Sequence, residues 1–558
     1  MERREAAIFV VRRGSMMELA GMTLEEKVGQ LIQAGFHSLE PDEHILELIE
    51  RRRIGGVILF TRNVQDPAQV AALTGKLQEA AQRAGTAPLW ISIDQEGGMV
   101  ARITEGVALM PGAMAIAAGG SVEAAYEAAL VAGRELRALG INMNFAPDLD
   151  INNNPANPVI GVRSFGEAPE AVAEYGSASI RGFQDAGVSA TAKHFPGHGD
   201  TNTDSHLDLP TIPHSRGRIE AVELVPFRRA VAEGVDAVMS SHIVFPAFEP
   251  ERLPATLSRR VLTGLLREEL GFDGVIVTDC MEMQAIADHY GTVQAAVLAV
   301  EAGADIVLIS HSRELQEGAL DALLEAVRSG RISEERIDAS VRRLLALKRK
   351  RLAAGTGGAP EPHEAALRLV GCEAHRQTAR RISEASVTLV KDEEGLLPLR
   401  HIPTLVIHTS AVATSIADEA VDIPHTFGKA LAAQGLDVVE RIIPVSPDGE
   451  ALQALLTQAE PFGQVVVSTY NASFYPGQVR LIEALQSLGK RPVVVALRNP
   501  YDLREFPGVS TYAAVYESRP LALESAAKGL TGAIPMRGKL PVTVSEAYPV
   551  GWGADGPC

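Results

Sequence analysis

The sequence predicts an α/β protein: a (β/α)8, TIM-like barrel followed by a smaller sheet-and-helix domain. Three observations predict it. Short β-rich runs alternate with amphipathic helical stretches from about residue 20 to 350, and eight such units fit a closed barrel better than an open sheet. No GxGxxG turn follows the first candidate strand, so a doubly wound dinucleotide-binding sheet has little support. A Gly/Pro/Ala-rich stretch, Leu352-Ala-Ala-Gly-Thr-Gly-Gly-Ala-Pro-Glu-Pro, then interrupts the pattern before a second α/β alternation begins.

Taken in order, the expected barrel strands are Gln30–Phe36, Gly56–Phe60, Leu89–Asp94, Asn142–Ala146, Ser189–His194, Ala237–His242, Gly274–Asp279 and Asp305–Ser310. Helical patterns such as Val122–Leu139 and Glu170–Ala186 lie between them, with apolar residues three and four apart. Past the linker, strands are expected at Ser386–Val390, Thr404–His408, Val438–Ile443, Gln464–Thr469, Pro492–Ala496 and Thr511–Val515. The expected organisation is an N-terminal extension over 1–19, the barrel over 20–350, a linker over 351–369 and the second domain over 370–558.

Composition narrows the function classes. Hydrophobic residues make up 46% and charged residues 22%, the balance of a globular chain with a real core. A formal net charge of −18 repels polyanions, and no basic stripe offsets it, so no nucleic-acid partner is expected. The Lys/Arg groups between Arg342 and Arg351 share a helical pattern with Leu344, Leu345 and Leu347 and read as a solvated helix face. The three cysteines, Cys280, Cys372 and Cys558, lack metal-ligand spacing and suit a reducing compartment. The apolar run Ala6–Val11 is too short for a secretory core and meets Arg12 and Arg13 at once. No membrane partner and a cytoplasmic location are the expectations.

In a barrel the C-terminal ends of the strands face the active site, so polar residues there carry most weight. Asp94, Lys193-His194, His242 and Asp279 all close candidate strands. The densest segment is the loop Lys193–His206, rich in Gly, Pro, Asn and Asp. Within it Asp204 and His206 are two apart, close enough for the carboxylate to fix the imidazole tautomer and raise its basicity, as a proton-transfer group requires. Polar side chains that cap the loop's own backbone are the bland alternative. His194, His198, Asp200, Asp204, His206 and Asp208 also resemble a set of metal ligands, but they match no closed motif and there is no HExxH. A metal-dependent hydrolase is thus a remote alternative, which excess chelator would expose. No GxSxG elbow is present. A non-catalytic sugar-binding protein would explain a polar pocket, but not an Asp–His pair beside an isolated strand-end carboxylate.

These segments together resemble glycoside hydrolase family 3, in its bacterial β-N-acetylglucosaminidase (β-hexosaminidase) branch. KHFPGHGDTNTDSHLDLP at 193–210 carries the resemblance most specifically. Ile93-Asp94-Gln95-Glu96-Gly97-Gly98 with Arg102, NMNFAPDLD at 142–150, NPVIGVRSFG at 157–166, and Val277-Thr278-Asp279 followed by Met283 extend it over roughly 20–350. SVTLVKDEEGLLPL and GKLPVTV resemble the second, α/β sandwich domain of the longer members. Met99 departs from the pattern, since relatives often carry Arg there; this puts contacts beyond the first sugar in question.

The resemblance implies a retaining exo-enzyme that releases terminal non-reducing N-acetylglucosamine through a covalent glycosyl-aspartate intermediate. Asp279 is then the nucleophile, His206 the general acid/base and Asp204 its partner. Asp94, Arg102, Arg163, Lys193 and His194 hold the sugar's hydroxyls and N-acetyl group. No metal and no organic cofactor is implied. The expected partners are small N-acetylglucosaminides, including muropeptide-type fragments from peptidoglycan recycling. Inorganic phosphate is the alternative acceptor, which would make the enzyme a phosphorylase.

Overall fold

The computed structural model of the chain describes residues 19–202, 208–352, 366–413 and 425–553. The expected N-terminal extension (Leu19 apart), most of the linker, and Asp204 and His206 lie outside the described residues.

Eight parallel strands form the barrel wall: β1 Ile32–Ala34, β2 Gly56–Leu59, β3 Trp90–Ile93, β6 Met143–Asn144, β7 Ser189–Phe195, β8 Ala237–Ser240, β9 Val275–Val277 and β10 Val307–Ile309. A two-stranded hairpin, β4 Gln95–Gly97 and β5 Val100–Ala101, leaves the end of β3. The wall runs in chain order and β10 returns to β1, pairing Ile32 with Val307. Between β9 and β10 the closure is one bridge, Val277 to Ile306, where Thr278 N donates to Ile306 O at 3.0 Å.

Most barrel strands are shorter than their apolar runs, β7 excepted. Gln30 is absorbed by the preceding helix, Leu24–Gly29, where its N–H donates to Glu26 O. Asn142, by contrast, spends its side chain on the wall: Oδ1 accepts from Ile91 N and Nδ2 donates to Leu89 O. Several helices begin where the sequence supplies caps. Asp66 accepts from Gln69 N ahead of Pro67–Ala84, and Ser121 accepts from Ala124 N ahead of Val122–Ala138. Their apolar faces and the strand side chains form one continuous core. The last barrel helix, Glu334–Leu352, sends the buried Lys348 beneath the strands, where it donates to Gln30 Oε1 and Gly55 O.

The second domain has six strands: β11 Thr388–Asp392, β12 Thr404–Thr409, β13 Val438–Ile443, β14 Gln464–Thr469, β15 Val493–Ala496 and β16 Thr511–Ala514. Their spatial order is β11-β16-β15-β14-β12-β13, parallel except for β11 against β16. Helices cover both faces, giving two apolar layers. One layer runs directly into the barrel, taking in Met99, Met114, Ala115, Ala118 and Val162. The connecting helix Glu373–Ser386 is pinned by a buried carboxylate: Glu135 accepts from His375 Nδ1 at 2.7 Å, Gly371 N at 2.9 Å and Ala108 N at 2.9 Å.

Candidate active site

The C-terminal ends of β3, β6 and β7 build a charged floor. Asp94 follows β3, Glu96 sits on the hairpin β4–β5, Asp148 and Asp150 follow β6, and Lys193 and His194 belong to β7. The turn Gly161–Arg163 brings in Arg163. Lys193 Nζ lies 2.8 Å from Asp94 Oδ1 and 2.7 Å from Glu96 Oε1. Glu96 in turn receives Arg163 in a two-pronged contact, Nε at 3.0 Å and Nη2 at 2.8 Å, the geometry in which a guanidinium and a carboxylate match best. Arg102 reaches Asp94 Oδ2 at 3.5 Å, and Arg163 reaches Asp148 Oδ2 at the same distance.

A second chain of contacts adjoins the first. Asp150 accepts from His194 Nδ1 at 2.7 Å and from His198 N at 2.6 Å, while its own N–H donates to Asp148 Oδ1 at 2.8 Å. His198 Nδ1 lies 2.9 Å from Thr201 Oγ1.

Burial disfavours every one of these charges, so pairing decides which survive. Against burial, Lys193 and Arg102 hold Asp94 below the usual carboxylate range, and Arg163 and Lys193 do the same for Glu96. Against burial, His194 holds Asp150 at about 2. Burial and the neighbouring Asp150 charge push Asp148 well above the carboxylate range, with Arg163 opposing. Burial takes His198 down to about 4, so it is neutral at neutral pH. Asp94 and Glu96 thus face the cations Arg102, Arg163 and Lys193, and Asp150 faces His194, with Asp148 between the two sets. This floor can bind a neutral, hydroxyl-rich group through many fixed donors and acceptors.

Asp279 stands apart from the floor. It follows β9, two strands round from β7, and is half-buried. Its Oδ1 accepts from Cys280 N at 2.7 Å. His242, after β8, lies 2.9 Å from Cys280 O through Nε2 and thereby steadies the same turn. The structure therefore gathers Asp94, Arg102, Arg163 and Lys193 into one ion-pair network, sets His194 beside it, and leaves Asp279 on a neighbouring arc of the mouth.

Sequence reasoning assigned no role to Glu96, Asp148 and Asp150, although all three lie in segments it singled out. The signal available for Asp148 and Asp150 was their place just past a strand end. Of the described residues that resembled metal ligands, His194 and His198 both meet Asp150, whereas Asp200 pairs with His214 at 2.6 Å and Asp208 with His289 at 3.2 Å. Among the described residues, two groups bring three possible ligand atoms within 4.8 Å of one another: Asp148, Asp150 and His194, and Cys280, Glu282 and His311. In the first, His194 Nδ1 is hydrogen-bonded to Asp150 Oδ2. In the second both Glu282 oxygens accept backbone N–H groups, from Ser310, His311 and Ser312. Met99 is buried in the apolar layer between the domains.

The floor also makes a stability prediction. Glu96→Gln leaves Arg163 and Lys193 buried with half their compensation, and an uncompensated buried charge costs about 3–5 kcal/mol. Glu301→Gln breaks a partly exposed pair with Arg331 and should cost under about 1 kcal/mol. Denaturant unfolding of the two variants checks this; equal losses would mean the floor is not electrostatically coupled.

A nearly closed parallel barrel with a charged floor and a separate half-buried carboxylate at its mouth suits a glycoside hydrolase. The chain belongs to glycosyl hydrolase family 3: residues 23–347 match that family's N terminal domain. Across both domains it is a member of the family's β-hexosaminidase branch. It is 34% identical to the β-hexosaminidase A of Pseudoalteromonas piscicida, over 92% of this chain and 93% of that one. It is also 34% identical to a β-N-acetylglucosaminidase/β-glucosidase of Cellulomonas fimi, over 94% of each. A solved family 3 β-N-acetylglucosaminidase from Paenibacillus sp. str. FPU-7 superposes with a TM-score of 0.88 at 51% identity, covering 94% of this chain and 99% of that one. No helix among the described residues is long and apolar enough to cross a membrane.

Proposed function

We propose that the chain is a retaining exo-β-N-acetylglucosaminidase acting on terminal non-reducing N-acetylglucosamine, with peptidoglycan-derived fragments as its substrates. The observation that carries this is the paired floor of Asp94, Glu96, Arg163 and Lys193 beside a separate carboxylate, Asp279. Asp94, Arg102, Arg163, Lys193 and His194 hold the sugar. Asp279 attacks the anomeric carbon as His206, oriented by Asp204, protonates the departing oxygen. Water then attacks the glycosyl-aspartate while His206 takes its proton, and the product leaves with the β configuration it entered with.

The two domain-length relatives and the Paenibacillus structure all carry names for hexosaminidase or N-acetylglucosaminidase activity, which supports the substrate reading. The test is the product. Proton NMR during cleavage of an aryl N-acetyl-β-glucosaminide should show the β-anomer of free N-acetylglucosamine first, with the α-anomer growing in by mutarotation. An α-anomer formed first would remove the covalent mechanism. In abundant phosphate, N-acetylglucosamine 1-phosphate as the main product would replace water by phosphate as acceptor.

A further inference from the structure

We propose that the second domain is a positioning device for the sugar-binding floor, and that Glu517 is its key positioning residue; this rests on the functional reading above. The two barrel segments that deliver Glu96 and Arg163 are each gripped from the second domain, by residues just past the C-terminal ends of β15 and β16. That is the edge at which parallel α/β sheets present their binding groups. Here those groups meet the barrel.

After β16, Glu517 Oε2 accepts from Gly112 N at 3.0 Å. Arg519 donates to Gly98 O at 3.0 Å through Nε and to Met99 O at 3.3 Å through Nη2. Gly98 and Met99 form the turn of hairpin β4–β5, which carries Glu96. The fit is close. Gly98 has φ +54°, and a methyl added there would lie 2.6 Å from Glu517 Oε2 and 2.7 Å from Gly112 Cα. After β15, Asn499 packs on the turn that carries Arg163: a methyl on Gly161 would lie 2.6 Å from Asn499 Oδ1. Tyr501 OH accepts from Asn152 Nδ2 at 2.9 Å, holding the loop that follows Asp150.

Glu96, Gly97, Arg163, Tyr516 and Glu517 line one small cavity of about 10 Å³, just room for a water. Glu517 thus stands directly behind the Glu96–Arg163 pair. Glu517, Ser518 and Arg519 are all buried, so these contacts are part of the packed interface and not surface decoration. Met99 fills the same interface with an apolar side chain, which ties the hairpin to the second domain instead of to substrate. Burial pushes Glu517 up to about 7, against the Gly112 hydrogen bond and the Arg519 charge, so near neutral pH its acid form is well populated. Gln reproduces that form in shape and keeps the acceptor oxygen.

The test uses the full chain and an aryl N-acetyl-β-glucosaminide, with direct calorimetric titration by N-acetylglucosamine alongside. A displaced floor weakens sugar binding while leaving Asp279 in place. Glu517→Ala is therefore expected to raise KM and the Kd for N-acetylglucosamine by ~10-fold with kcat within ~3-fold. Glu517→Gln should return both constants to within ~2-fold of wild type, since the acceptor is restored. Unchanged binding in Glu517→Ala, a fall in kcat alone, or a Gln variant as impaired as Ala overturns the proposal. Should Glu517→Ala fail to fold, Arg519→Gln removes the grip on Gly98 and Met99 from the other side and must raise KM; an unchanged KM there overturns it equally. Wild-type protein that neither binds nor cleaves N-acetylglucosaminides would overturn the functional reading itself, whereas normal wild-type binding with an indifferent Glu517→Ala overturns only the clamp.

Discussion

Asp279→Ala should lower kcat on an aryl N-acetyl-β-glucosaminide by at least ~10⁴-fold, the scale on which removal of a covalent nucleophile acts. The loss belongs to chemistry and not to folding. Asp279 is half-buried, follows β9 rather than lying within it, and accepts from the Cys280 N–H of its own turn. The floor proposed to hold the sugar is built from other strands, so the Kd for N-acetylglucosamine should change little. The variant also offers a positive signal. A small anion such as azide fits where the carboxylate was and can attack the same face of the sugar. Azide should restore measurable turnover and yield the α-glycosyl azide, the single-inversion product. A variant with wild-type kcat, or a β-azide product, would move the nucleophile elsewhere.

His206→Ala should show its effect through the leaving group. A nitrophenolate departs with little help, whereas a sugar alkoxide needs a proton as the bond breaks. General acid catalysis contributes about 10²–10⁴-fold, and that factor should separate a natural disaccharide from an activated aryl glycoside in the variant. Asp204→Ala should follow the same trend more weakly, because the imidazole remains but is less well oriented. The distinction between the two substrates matters more than either loss alone: a loop that merely collapsed would damage both equally. Kinetics of both variants on the two substrates decide it, and equal losses would take the acid role away from His206.

Much of the fold could be read because the barrel strands are short apolar runs bounded by Gly, Pro and helical patterns. The eight runs were each placed on a strand, with errors confined to the ends. Gln30 illustrates the error: its neighbours are apolar enough to extend β1, but its N–H is already committed to the helix before it. The same strand-end rule singled out Asp94, Lys193, His194, His242 and Asp279, and the structure places all five at the C-terminal ends of barrel strands.

Glu96, Asp148 and Asp150 were harder for a physical reason. Glu96 acquires its meaning only from Arg163 and Lys193, which approach it from the turn after β6 and from β7 respectively. Nothing local marks a glutamate as the partner of cations 67 and 97 positions away. Arg163 itself was reached only through family resemblance, since it lies on a short turn with no strand periodicity around it. Glu517 and Arg519 are the same problem at longer range. Their one local signal is that charged residues follow the buried run Thr511–Val515, the pattern also seen at the barrel strand ends.

The most direct measurement of the central claim is to trap the glycosyl-enzyme. Full-length protein treated with a 5-fluoro N-acetyl-β-glucosaminyl fluoride should gain one sugar by intact mass, and peptide digestion should place it on Asp279. A label on Asp94 or Asp148, or steady turnover of true substrate by Asp279→Ala with no azide present, would contradict the account.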